Sequence, residues 1–272
     1  MSIKGLRYLA AALIAAGIVC VAAGSVMQPQ RQHTSNPDHQ SSAAKNSGAD
    51  SRLDSQPEGT SLTSQYSSRE YSVPAEQVRS LEINTIVDEV NLLPSSTDTF
   101  KAVFYENENL WYETRVTEEG VLQIEQKARG QNVSKKDDDL KLWIYLPADT
   151  EELTILSVSG DIEVSDLTLP QNTLFQTTSG DLDVKRCTAG FLRLLSASGS
   201  IDVEADLQEL EAENMSGDVE LELWGTAEDY TLELETVSGK TRAGDGSGER
   251  KVKVSTISGD IEVRYISAWD LD

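Results

Sequence analysis

The chain has 272 residues, with 46 acidic side chains against 23 basic ones, and its formal net charge of −23 argues against nucleic acid as a partner. Both histidines, His33 and His39, precede the folded part, so a Ser-His-Asp or Cys-His catalytic arrangement cannot be built there. Cys187 is the only cysteine after Cys20, which leaves the folded part without an internal disulfide or a Cys/His zinc site.

In chain order, residues 1–7 carry Lys4 and Arg7 and read as a short cytoplasmic end. The apolar stretch 8–27 is long enough, at about 1.5 Å per residue, to cross the ~30 Å core of a bilayer as one transmembrane helix. The basic residues before it predict a cytoplasmic N-terminus and an extracellular C-terminal domain, hence a single-pass protein of the bacterial cell membrane, with the membrane itself as a partner. A cleaved signal peptide is the alternative, because Ala22-Ala23-Gly24 before Ser25 suits processing. Residues 28–69 are rich in Ser, Gln, Asn and Asp and include Pro29, Pro37 and Pro57, the composition of a disordered polar stalk.

From 73 to 265 the pattern is that of a β-domain, with an irregular β-rich part at 93–147. Alternating segments fall at 100–105, 110–116, 121–126 and 140–146, with turns expected at Asn107-Glu108-Asn109 and Glu118-Glu119-Gly120. The acidic tail 266–272 carries Trp269, placed to lie over the end of the domain.

The regular part repeats a Ser-Gly-Asp corner at Gly160, Gly180, Gly199, Gly217, Gly239 and Gly259, 18–22 residues apart. Counted from the glycine, position −7 reads Leu153, Thr173, Leu192, Leu210, Leu232, Val252, and position −5 reads Ile155, Phe175, Leu194, Ala212, Leu234, Val254. Positions +2 and +4 are apolar in the same way, from Ile162 and Val164 to Ile261 and Val263. Apolar residues at spacing two on both sides of a corner make two half-buried strands. The expected fold is therefore an all-β parallel β-solenoid, a β-helix of about 18–22 residues per rung. The inward −3 column, Ser157, Thr177, Ser196, Asn214, Thr236 and Thr256, is polar and reads as a ladder that fixes register. A hidden rung upstream fits the same template: Leu81, Ile83, Thr85, Val90 and Leu92, with Asp88 in the glycine's place because Asp tolerates a left-handed turn.

These corners, Val158-Ser159-Gly160-Asp161-Ile162, Thr178-Ser179-Gly180-Asp181-Leu182 and Ile257-Ser258-Gly259-Asp260-Ile261, following an apolar N-terminus and a polar stalk, resemble a bacterial family of adhesin-like, membrane-anchored β-strand-repeat domains of unknown function. The resemblance implies a cell-envelope protein with a parallel β-solenoid and supplies no catalytic residues. The pattern departs from it at Ser200 and Lys240, where Asp does not follow the glycine.

Positions +1 and +3 point outward together and are mostly acidic, and the +3 column stacks Glu163, Asp183, Asp202 and Glu220 in succession. The +1 acids can cap corner backbone, as Asp does in turns, while Lys240 and Arg242 pair with neighbouring rungs. The sharper expectation is a Ca²⁺ site of oxygen ligands at Asp161, Glu163, Asp181 and Asp183, and a basic protein or polymer is the other occupant of such a stripe. No other cofactor is expected. The leading function is a non-enzymatic cell-surface binding or scaffold protein of the envelope, with an envelope protein or cell-wall polymer as partner. The alternatives are a sensory ectodomain serving a membrane partner and a polysaccharide-cleaving β-helix enzyme, the last disfavoured because an acidic convex stripe is not a pocket.

Overall fold

A computed structural model describes residues 66–129, 141–244 and 246–266. Among the described residues, seventeen strands follow one another in sequence. The first seven are β1 (Ser67–Pro74), β2 (Ser80–Thr85), β3 (Glu89–Pro94), β4 (Thr99–Glu106), β5 (Leu110–Val116), β6 (Val121–Ala128) and β7 (Lys141–Leu146). The next five are β8 (Glu152–Ser157), β9 (Ile162–Ser165), β10 (Asn172–Thr177), β11 (Leu182–Ser196) and β12 (Ile201–Ser216). The last are β13 (Val219–Trp224), β14 (Tyr230–Ser238), β15 (Thr241–Arg242), β16 (Arg250–Ser258) and β17 (Ile261–Ile266). Period-two patterning gives each its burial: in β2, Leu81, Ile83 and Thr85 are buried and the residues between them are not.

All seventeen strands join one sheet of mixed pairing. This corrects the expected uniform parallel β-solenoid, for two physical reasons. Antiparallel ladders close the N-terminal end, with β1 on β4, β4 on β7 and β5 on β6. The rungs also do not follow chain order. Rung β2/β3 lies between β6/β7 and β8/β9. At the other end, β16/β17 pairs directly with the second half of β12 and with β13, and β14/β15 is the outermost layer.

The expected columns are in register. Leu153 is level with Leu81 and Thr173, and Leu192 with Leu210. Leu210 is then level with Val252, and only Val252 with Leu232. The hidden rung is present, with Ile83 level with Ile155 and Val90 with Ile162. One further rung escaped the pattern: Leu122 and Ile124 of β6 are level with Leu81 and Ile83, and Leu142 and Ile144 of β7 with Val90 and Leu92. Twelve residues, 129–140, separate β6 from β7 in the sequence, which hides the period. Of the two expected turns, Glu118-Glu119-Gly120 joins an antiparallel hairpin of β5 and β6, whereas β4 and β5 share no ladder.

The corner glycines report the spatial order independently. A Cβ on Gly160 would lie 1.9 Å from the Asp88 carbonyl oxygen, and one on Gly180 would lie 2.4 Å from that of Gly160. The chain of near-collisions continues from Gly199 to Gly180, Gly217 to Gly199, Gly259 to Gly217 and Gly239 to Gly259. The glycines are therefore required by close approach of backbones. Asp88 keeps its side chain for another reason than the one expected: among non-glycine described residues only Asp166 and Arg186 have positive φ. Its carboxylate points instead into the space between the hidden rung and β5/β6, where Tyr112 Oη donates to Oδ2 at 2.6 Å.

The transmembrane helix, the membrane partner and the single-pass localisation are withdrawn. Among the described residues the only helical pieces are two three-residue 3-10 turns, and no helix is long and apolar enough to cross a membrane. The stretch 8–27 lies outside the described residues, as do nearly all of the stalk and Trp269.

Candidate functional site

The face to which the sequence points is the outer surface formed by β9, the first parts of β11 and β12, β13 and β17. The +1 aspartates at its edge are structural. The Asp181 amide donates to Asp161 Oδ1 at 3.0 Å, and the Ser200 amide to Asp181 Oδ1 at 2.7 Å. The Asp260 amide donates to Asp218 Oδ1 at 2.7 Å, and the Lys240 amide to Asp260 Oδ1 at 2.9 Å. Each carboxylate thus caps the corner of the next rung, a charge-assisted bond of roughly twice the usual strength. Of the two departures from the motif, Lys240 follows from position, since it stands on the outermost rung, where no further described corner needs a carboxylate. Ser200 stands in mid-stack, between the rungs of Asp181 and Asp218, and its position does not explain it.

The +3 column is the acidic ladder. Glu163 is level with Asp183, Asp183 with Asp202, Asp202 with Glu220, and Glu220 with Glu262. Out-of-order stacking therefore adds a fifth acid to the four expected in succession, and Arg242 ends the column beyond Glu262. Cations meet it at its sides. Lys185 Nζ lies 2.5 Å from Asp183, Arg264 bonds Glu262 at 2.9 Å and approaches Glu220 at 3.6 Å, and Arg242 reaches Asp260 and Glu262. Burial, then the charge of Glu89, holds the Glu163 carboxyl above the ordinary range. Burial, then the charges of Asp183 and Glu220, does the same at Asp202. Asp183 Oδ1 is buried without a hydrogen-bond partner.

Of the four expected calcium ligands, the structure sets Asp161 beside Asp181 and Glu163 beside Asp183, but one oxygen of each aspartate at +1 is committed to backbone. Among the described residues no group of three or more His, Cys, Asp or Glu is placed to hold a metal ion.

Enzymatic alternatives find little here. Cys187 is buried, and burial pushes its thiol up to about 11, which keeps it protonated and unreactive at neutral pH. A hollow of about 480 Å³ near β1 is lined by Glu76, Asp98 and Asp149, but its one aromatic ring, Phe100, is 2% exposed and offers no sugar platform.

Sequence reasoning missed the buried cluster behind Asp88. Gln126, in the −3 column of the unrecognised rung, accepts from the amides of Ile86 and Val87 at 2.7 and 3.1 Å. Burial pushes the Asp88 carboxyl above the ordinary range, against the opposing hydrogen bonds of Tyr112 and Gln126. A carboxyl whose folded pKa is raised contributes stability below its unfolded pKa and loses it as pH rises through the folded one. Asp88→Asn removes this titration, so its melting temperature relative to wild type should be highest near neutral pH and fall on acidification toward about pH 4. A gap that is the same at both pH values would refute the assignment.

A single sheet of mixed pairing, with corners capped by carboxylates and an acidic outer face, defines an all-β domain. The chain belongs to the Toastrack DUF4097 family, whose profile matches residues 78–268. No curated protein matches it. Among solved structures, a candidate cell adhesion protein from Clostridium sporogenes is 14% identical with a TM-score of 0.47, over 74% of this chain and 100% of that one. A candidate adhesin from Bacteroides fragilis is 16% identical with a TM-score of 0.43, over 73% and 97%. A candidate lipid binding protein from Parabacteroides distasonis is 15% identical with a TM-score of 0.30, over 74% and 97%.

Proposed function

We propose that the chain is a non-enzymatic binding protein of the adhesin type, and that the acidic ladder is its contact surface for a basic polypeptide. The observation that carries this is the in-register run of Glu163, Asp183, Asp202, Glu220 and Glu262 on successive rungs. Rungs are about 4.8 Å apart, and neighbouring charges at that distance repel by about 1 kcal/mol even in bulk water. A partner supplying cations at matching intervals relieves this repulsion at every step. Calcium at Asp161, Glu163, Asp181 and Asp183 is the competing reading, favoured by the orphan Oδ1 of Asp183.

One experiment separates them. The full chain is titrated calorimetrically with a synthetic peptide alternating lysine and serine, and separately with calcium chloride. Each titration is repeated with the Glu163→Gln, Asp183→Asn, Asp202→Asn variant, which leaves the corner caps intact. Exposed ion pairs contribute up to about 1 kcal/mol each, so the variant should bind the peptide at least about tenfold more weakly. Calcium heat that vanishes in the variant, with no heat from the peptide, would replace the basic partner by the metal.

A further inference from the structure

Next to the acidic face, on the other side of the corner, runs a column of different character. Position −3 is buried at Ser157, Thr177, Ser196, Asn214 and Thr256 and half-buried at Thr236 on the outermost rung, so position −2 points outward. That outward column reads Val158, Thr178, Ala197, Met215, Ile257 and Val237 in spatial order, apolar at every rung but one. None of these side chains is buried, and Val237, 60% exposed, is the one large apolar side chain classed as exposed among the described residues. Met215, Ile257 and Val237 stand on three adjoining strands between two rows of level residues, Asn214, Thr256 and Thr236 on one side and Ser216, Ser258 and Ser238 on the other.

The borders of this patch say what covers it. On one side, at position −4, stand Glu213 and Glu235 with Ser255 between them, Glu213 being paired with Arg193 at 3.3 Å. On the other, past a row of corner serines, stand the capping carboxylates of Asp218 and Asp260, with Lys240 at the outermost rung, so that both margins remain acidic in balance. A second copy of the chain would bring its own acidic borders against these, in a protein whose net charge is −23, and an anionic lipid surface would be repelled in the same way. An apolar strip between two acidic margins is complementary to an apolar stripe between basic flanks.

We infer that the −2 ridge is the apolar half of the docking surface, and that its occupant is an amphipathic basic segment of a partner protein, laid along the stack. This rests on the acidic-face reading above and adds a requirement for apolar side chains in the partner. Five rung intervals make the ridge about 24 Å long, which an amphipathic helix of about 16 residues spans.

The test compares two labelled peptides of equal length and lysine content, one with leucines in an amphipathic helical pattern and one with serines in their place. Binding to the full chain is followed by fluorescence anisotropy. The leucine peptide is expected to bind at least about tenfold more tightly. The Met215→Thr, Ile257→Thr, Val237→Thr variant should erase that advantage while still binding the serine peptide, and threonine already occupies this column at Thr178. Should the triple variant lose its cooperative melt, Val237→Thr alone, on the outermost rung, should still reduce the advantage severalfold. Equal affinity for the two peptides, or an advantage that survives the substitutions, overturns the inference and leaves the acidic-face reading intact. Binding of neither peptide overturns both. Self-association of the wild type that the triple variant abolishes would assign the ridge to a second copy and overturn the inference as well.

Discussion

Gly199→Ala is expected to destabilise the domain by at least about 3 kcal/mol. Its Cβ would lie 2.1 Å from the Gly180 carbonyl oxygen, and its φ of +134° is a conformation that side chains rarely adopt. Overpacking costs about 1–3 kcal/mol and a strained backbone about as much again. At about 2–4 °C per kcal/mol for a domain of this size, the melting temperature should fall by roughly 6–12 °C. The carbonyl cannot withdraw, because it belongs to the corner of the neighbouring rung and that rung is held by the next. Gly244→Ala is the matched control: its Cβ would meet nothing closer than 3.5 Å, and its melt should be close to wild type. Equal melts for the two variants would mean that close stacking of corners is not what requires glycine.

The second large effect is expected at Asn214, which is 0% exposed. Its Nδ2 donates to the carbonyl oxygens of Gly199 at 2.8 Å and Gly217 at 3.1 Å, and its Oδ1 accepts from the Ser216 amide at 3.2 Å. Asn214→Leu removes all three bonds in a buried corner, and each backbone group left without a partner costs about 1–3 kcal/mol, for a total of roughly 3 kcal/mol or more. Asn214→Thr should lose much less, because Thr236 in the same column donates through Oγ1 to the Gly259 carbonyl at 3.0 Å. Urea denaturation checks both: the midpoint should drop much further for leucine than for threonine, at an unchanged slope. A leucine variant as stable as the threonine one would reduce the polar column to a matter of volume.

What was legible in the sequence was whatever repeats. The apolar pairs Leu153/Ile155 and Ile162/Val164 recur at fixed offsets from a glycine, so strand register could be read from spacing alone, even for the rung centred on Asp88. Rung order was not legible, because register depends on alternation within a strand and says nothing about which rung lies beside which. The +1 residue does not supply it either: Lys240 lacks a carboxylate on the outermost rung, although a later rung, with Asp260, comes after it in the chain, but Ser200 lacks one in mid-stack. The rung of β6 and β7 was hidden by the length of sequence between its strands, although Leu122 and Ile124 followed by Leu142 and Ile144 repeat the template on either side of it. The acidic column was legible because outward positions alternate with core positions. The apolar ridge beside it went unread because Val158, Met215 and Val237 lie next to the corner motif itself, where the eye stops at serine and glycine.

The displaced order of the last two layers has a consequence for how the chain is made. A polypeptide emerging N-terminus first completes β14 and β15 before β16 and β17, the strands they pair with among the described residues, have been synthesised. Until those final strands arrive, the bare edge of β12 and β13 has nothing to hold, and the layer that will end outermost has nowhere to settle. The last strands to be made therefore slot beneath an earlier layer instead of adding on top of it. Loss of the chain after Gly248 would therefore strip away two layers for the sequence of one.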